Sequence, residues 1–240
     1  MNGQTMLLDQ AVSYAARSVL DVTPALLPRP TPCQGWNLDM LLRHASDSLA
    51  ALHEGTVTGH VGLIPTAPDR DLAASPARVI WEQAHRLLAA RAATDRRELL
   101  NIGDLPLPAI AIECAGAIEI AVHGWDISQA CGQGRPIPDA LASSLLAIAP
   151  LLIPETGRPP LFSPPVTARA QASPGNRLVA FLGRKLSASA PSQIGGPFTK
   201  GWMTTGLPWR SRHHEGSPPP EPEAGGADSA HGSAARSAIA

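Results

Sequence analysis

The sequence predicts an all-α fold: a bundle of long helices followed by shorter ones. Three observations carry that expectation. Apolar residues recur at helical spacing over four long segments, Pro- and Gly-containing breaks separate those segments, and no stretch alternates apolar and polar residues long enough to mark a strand. No internal repeat is present.

The elements follow in order. Residues 6–22 read as an amphipathic helix with Leu7, Leu8, Val12, Ala15, Ala16 and Leu20 on its apolar stripe. The next stretch, TPALLPRPTPCQGW, contains four prolines, which forbid a helix there. Asn37 or Gly35 can cap a second helix that runs to about residue 54, with Leu38, Leu41, Leu42, Ala45, Leu49 and Leu52 as its stripe. A loop over 55–70 leads to a third helix at 75–95, with Ser75 as cap and Pro76 at the first position. NIGDLPLP then breaks the chain. A fourth helix over 108–131 ends at Gly132, a C-terminal stop signal. A fifth, over 138–149, stops before Pro150; LIPETGRPPLFSPPV reads as extended, and 176–186 as a last short helix. From 211 onward Pro, Gly, Ser, Ala and Glu dominate, too little apolar surface to offset the entropy of ordering. The expected organisation is a helical domain at 5–186, an extended segment at 187–210 and a disordered tail at 211–240.

Composition narrows the function classes. The chain has 240 residues, 44% hydrophobic, with a formal net charge of -1. That is enough for one domain with a sizeable core, and it offers no global basic field for nucleic acid. The three cysteines (Cys33, Cys114, Cys131) are odd in number and far apart, unlike a disulfide framework. The first twenty residues lack the pattern of a signal peptide, and no apolar run reaches the roughly 18 residues needed to span a bilayer. A soluble cytoplasmic protein with reduced thiols is expected.

One segment carries chemistry. In IEIAVHGWDISQACG, Glu119 and His123 lie about 40° apart around a helix, and Asp126 about 20° from Glu119 on its other side. The three share one face of an otherwise apolar segment, where unpaired polar groups are costly. Glu-x-x-x-His can act as a metal platform when a facing helix adds a ligand, and His44 on the second helix is available. Two imidazoles and one carboxylate suit Zn²⁺ or another divalent transition metal and leave a position open. The plainer alternatives are a solvated Glu119–His123 pair and a surface His44–Asp47 pair. The remaining histidines, including His213 and His214 in the tail, form no usable pattern. Cys114 and Cys131 fall about 140° and 120° from Glu119 around the helix and are expected to pack. Cys33, in the turn before the second helix, is also expected to pack, as are Trp36 and Trp125.

Two motifs and a closing segment resemble a known family. TPCQGWNLDMLLRHASDSLAAL is similar to the first motif of the mycothiol-dependent maleylpyruvate isomerase-like proteins of the DinB/YfiT superfamily, which have TPC-x-G-W and then a helix carrying a histidine. EIAVHGWDISQACG resembles their second motif, and FSPPVTARAQASPGNRLVAFLGRKL the closing segment of an actinobacterial branch, down to Gly183 and Arg184. The resemblance covers roughly residues 8–186. It implies a DinB-like four-helix bundle with His44, Glu119 and His123 as metal ligands, zinc first, with nickel, iron or manganese as alternatives.

The activity that the resemblance implies is a thiol-dependent S-transfer or isomerisation. Mycothiol or a similar low-molecular-weight thiol would be the cofactor and a small electrophile the substrate, with neither nucleic acid nor membrane as partner; a homodimer is compatible with it. The nucleophilic sulfur would come from that external thiol and from none of the three cysteines. Asp126 is the catalytic candidate, as a base or as the group that orients His123; the alternative is a pairing with an arginine or backbone group of a neighbouring helix. A non-catalytic metal-binding or regulatory protein is the other function class.

Overall fold

The computed structural model describes residues 2–63, 75–153, 158 and 163–186. The expected extended segment at 187–210 and the tail at 211–240 lie outside the described residues, as does most of LIPETGRPPLFSPPV.

Among the described residues the chain is mostly helical, with a small sheet. The helices are α1 (Asn2–Ser18), α2 (Leu38–Thr58), α3 (Pro76–Ala93), α4 (Ala109–Ala130), α5 (Asp139–Leu152) and α6 (Pro174–Phe181). No described helix is long and apolar enough to cross a membrane. The α2 stripe is as expected: Leu38, Leu41, Leu42, Ala45, Leu49 and Leu52 are all buried. Asn37 caps it, its side chain accepting from the Met40 amide at 2.9 Å. In α3, Pro76 opens the helix as expected, but the Ser75 side chain makes no capping bond.

α4 is the central helix. It packs against α1, α2 and α5 and is buried on nearly every face, which explains its continuous apolar sequence. Its closest neighbour is α1, and Gly124 makes that approach possible. A Cβ there would lie 3.0 Å from the Ala15 Cα and 3.1 Å from the Tyr14 ring. A glycine inside a helix ordinarily gains about 1 kcal/mol on replacement by alanine. Here the methyl would meet backbone, which cannot rotate away, so overpacking dominates. Gly124→Ala is expected to lower stability by about 1–2 kcal/mol, measured by denaturant unfolding. A rise in stability would show that the α1–α4 spacing has slack.

Arg91 ties three helices together. Its side chain, only 8% exposed on α3, pairs with Asp9 of α1 and, at 2.9 Å, with Glu113 of α4. Burial alone would lower its pKa, but the two carboxylates outweigh that and hold it above its ordinary value.

Besides a one-turn 3-10 helix at Pro24–Leu26 in the proline-rich stretch and a run of α2 on to Thr58, four features depart from the sequence expectation. First, three strands exist: β1 (His60–Val61), β2 (Leu99–Ile102) and β3 (Leu105–Pro108). β1 pairs parallel to β2, with His60 opposite Asn101, and β2 pairs antiparallel to β3, with Ile102 opposite Leu105. Strands of two and four residues are too short for alternation to stand out, and the prolines of β3 mask it further. Second, α1 ends at Ser18, so Leu20 leaves the stripe and is 59% exposed. Third, α5 runs through Pro150 to Leu152. A proline in the last turn forfeits a single backbone bond, and the helix ends two residues later. Fourth, α6 occupies Pro174–Phe181 rather than 176–186, because Ser173 caps it through the Asn176 amide.

Candidate metal centre

The turn before α2 sets up one side of the site. Thr31 closes it: its hydroxyl donates to the Trp36 carbonyl at 2.9 Å, and its amide donates to the same carbonyl at 3.0 Å. The Leu38 amide donates to the Arg29 carbonyl, and Pro30 bridges Asn37. The turn thus delivers Trp36 onto the first turns of α2, where its ring meets His44 edge-on at 4.8 Å.

α4 supplies the other side. The His123 ring lies 4.9 Å from that of His44, nearly perpendicular at 87°. Trp36 is roughly parallel to His123, at 14° and 6.1 Å. Glu119, one turn earlier, places Oε1 3.0 Å from His44 Nε2 and accepts a short hydrogen bond from the Ser48 hydroxyl. One ligand atom from each of His44, Glu119 and His123 lies within 4.8 Å of the others. The surface pairings considered for these residues are therefore replaced by a buried cluster.

The cluster fits a cation. Glu119 Oε2 and His44 Nδ1 are both buried without a hydrogen-bond partner among the described residues. A buried polar atom left unpaired costs about 1–3 kcal/mol, and a bound ion would remove that cost for the carboxylate. Burial by itself would raise the Glu119 carboxyl. The His44 hydrogen bond, the two imidazoles and Ser48 overcome it and hold the carboxyl below its ordinary value, in the anionic form a metal needs. Burial pushes His123 below its ordinary value against the opposing pull of Asp126, favouring the neutral, ligating imidazole.

Asp126 is wholly buried and is engaged in two directions. Its Oδ2 lies 3.1 Å from His123 Nδ1 and accepts from Arg184 Nη2 at 2.9 Å. The two alternatives considered for it, orienting His123 or pairing with an arginine of another segment, thus hold together. Burial would raise its pKa; the Arg184 charge, then His123, outweigh that and keep it low. Sequence reasoning missed Ser48 and the contact of Arg184. The closing Gly-Arg pair was visible as a motif, but nothing local pointed it at Asp126.

The cysteines behave mostly as expected. Cys114 is buried and Cys131 is half-buried on the far end of α4, both with thiols raised by burial. Cys33 lies within electrostatic reach of Arg184 and Asp126, but burial raises its thiol too, away from a reactive thiolate. Trp125 packs in the core, whereas Trp36 borders the site. A separate cleft of about 300 Å³, walled by residues including Leu8, Leu52, Arg91 and Ile112, includes none of the three ligands.

The fold and site together define a mostly helical protein whose buried imidazole–carboxylate–imidazole group is able to hold a divalent metal. Compared with known proteins, the chain matches no family model, no curated protein and no solved structure.

Proposed function

We propose that this chain is a metal- and thiol-dependent S-transferase or isomerase of the DinB-like, mycothiol-dependent maleylpyruvate isomerase-like type, built on a four-helix core. The observation that carries the reading is the convergence of His44, Glu119 and His123, from two motifs far apart in sequence, into one buried group. Zinc is the first choice for two imidazoles and a carboxylate. A divalent ion held there with an open position would bind a small thiol and keep it as thiolate, the nucleophilic form.

The residues around the cluster have separable roles. Ser48 fixes one oxygen of Glu119 and leaves the other for the ion. Asp126 holds Nδ1 of His123 so that Nε2 is the nitrogen left to ligate. Asp126 is sealed from solvent and so positions an imidazole rather than touching substrate. Trp36 lies against both imidazoles and narrows the approach to them. In the reaction the thiol loses its proton, a C–S bond forms to the electrophile, and a leaving group departs or, in isomerisation, the same bond later breaks.

A non-catalytic metal-binding protein is the second reading, favoured by the cleft that lies apart from the ligands. The test is turnover of monochlorobimane, whose chloride a thiol displaces, by zinc-loaded protein with a panel of low-molecular-weight thiols. Turnover is expected with at least one thiol, lost on chelation and restored by Zn²⁺. It should survive the combined substitution of Cys33, Cys114 and Cys131 by alanine. Stoichiometric metal without metal-dependent turnover would favour the non-catalytic reading, and loss in the cysteine variant would move the nucleophile onto the protein.

A further inference from the structure

The last described helix ends in a way that aims one side chain at the metal centre. Gly183 takes a left-handed conformation (φ 82), its amide donating to the Ala180 carbonyl at 3.0 Å and that of Arg184 to the Val179 carbonyl at 2.9 Å. This pair of bonds is a Schellman close, which reverses the chain sharply after a helix. The position admits only glycine for a second reason: a Cβ would lie 2.6 Å from the Ser163 Cβ and 2.8 Å from its carbonyl oxygen. Leu178, Val179 and Leu182 anchor the helix in the core, each no more than 1% exposed. Arg184 is thereby carried inward.

Its guanidinium is committed on two edges. Nη2 donates to Asp126 Oδ2 at 2.9 Å, with Nε 3.3 Å from the same oxygen, while Nη1 donates to the Leu182 carbonyl at 2.9 Å. The fork is held by its own backbone turn and in turn holds the carboxylate. Oδ2, the oxygen that Arg184 grips, is also the one 3.1 Å from His123 Nδ1.

We infer that Arg184 is a positioning residue of the metal centre, acting through Asp126 to fix the ring orientation and the Nδ1–H tautomer of His123. The toe of α6 therefore serves a site built on α2 and α4. The carboxylate is the sole acceptor recorded for His123 Nδ1 among the described residues. Freed from Arg184, it can rotate about its Cα–Cβ bond, and the imidazole can take the other tautomer, in which Nε2 carries the proton and cannot ligate. Carboxylate partners of ligating histidines typically change metal affinity by about 10–100-fold. This inference rests on the metal reading for its consequence, though the contact itself can be read without metal.

The experiment has a metal-free and a metal-loaded arm. In metal-free protein, ¹⁵N shifts of the His123 ring at about pH 8, above the ordinary histidine range, report the tautomer. The Nδ1–H form is expected in the parent, and a mixture in Arg184→Met and Asp126→Asn. Arg184→Lys, which keeps a donor on Asp126, should retain most of the parent pattern and guards against a methionine variant that fails to fold. In the second arm, Zn²⁺ affinity by chelator competition should fall about 10–100-fold in Arg184→Met and less in Arg184→Lys. In an Asp126→Asn background, Arg184→Met should cost little more, since both act on one contact. An unchanged His123 tautomer in folded Arg184→Met would overturn the inference, as would a full additional loss of affinity in the Asn background. If the parent binds no Zn²⁺, the metal reading fails while the tautomer arm still decides whether Arg184 sets His123.

Discussion

Replacing His123 with alanine is expected to take bound metal from about one ion per chain to a small fraction of that, with His44→Ala and Glu119→Ala behaving alike. The three side chains are the described His/Glu group whose ligand atoms lie within 4.8 Å of one another, and each is almost wholly buried. With one ligand gone, the other two cannot complete a tetrahedral site without extra water, and a buried carboxylate is left facing an imidazole alone. The measurement is metal content by mass spectrometry after dialysis against a weak chelator. His85→Ala is the control, since that ring lies tilted against Trp81 on the exposed side of α3. Metal that stays stoichiometric in both His44→Ala and His123→Ala would place the site elsewhere in the chain.

Asp126→Ala is expected to be among the most destabilising single changes in the protein. Asp126 is 0% exposed and Arg184 only 8%. Their attraction offsets the cost of taking both charges out of water, and removing the carboxylate leaves a guanidinium buried without its counter-charge. The expected loss is about 3–5 kcal/mol. For a domain of this size that lowers the melting temperature by on the order of 10 °C. Adding Arg184→Met to Asp126→Ala should recover part of the loss, because no lone charge is then buried. A single-variant loss under about 1 kcal/mol would mean that water reaches Arg184 when its partner is removed.

The sequence by itself determined the elements whose signal is local. The α2 stripe, from Leu38 to Leu52, is a period of 3.6 residues written over about four turns, and it holds position by position in the structure. The same arithmetic placed Glu119, His123 and Asp126 on one face of α4, because side chains three, four and seven apart must align on any helix. The strands escaped notice because two or four residues carry no period. The ends of α1, α5 and α6 moved because caps and packing set helix ends more than stripes do.

Only the tertiary structure decided who faces whom. Ser48 meets Glu119 across 71 residues and Arg184 meets Asp126 across 58. Trp36 lies against two imidazoles from different helices. Spacing along one helix says which side chains share a face, but not which other segment that face meets. The left-handed turn at Gly183 makes the Arg184–Asp126 meeting, while Gly124 seats α1 on α4, and both depend on space left by distant backbone. The carboxylates of α4 can be buried because their partners arrive from elsewhere in the chain, a condition that no local pattern records.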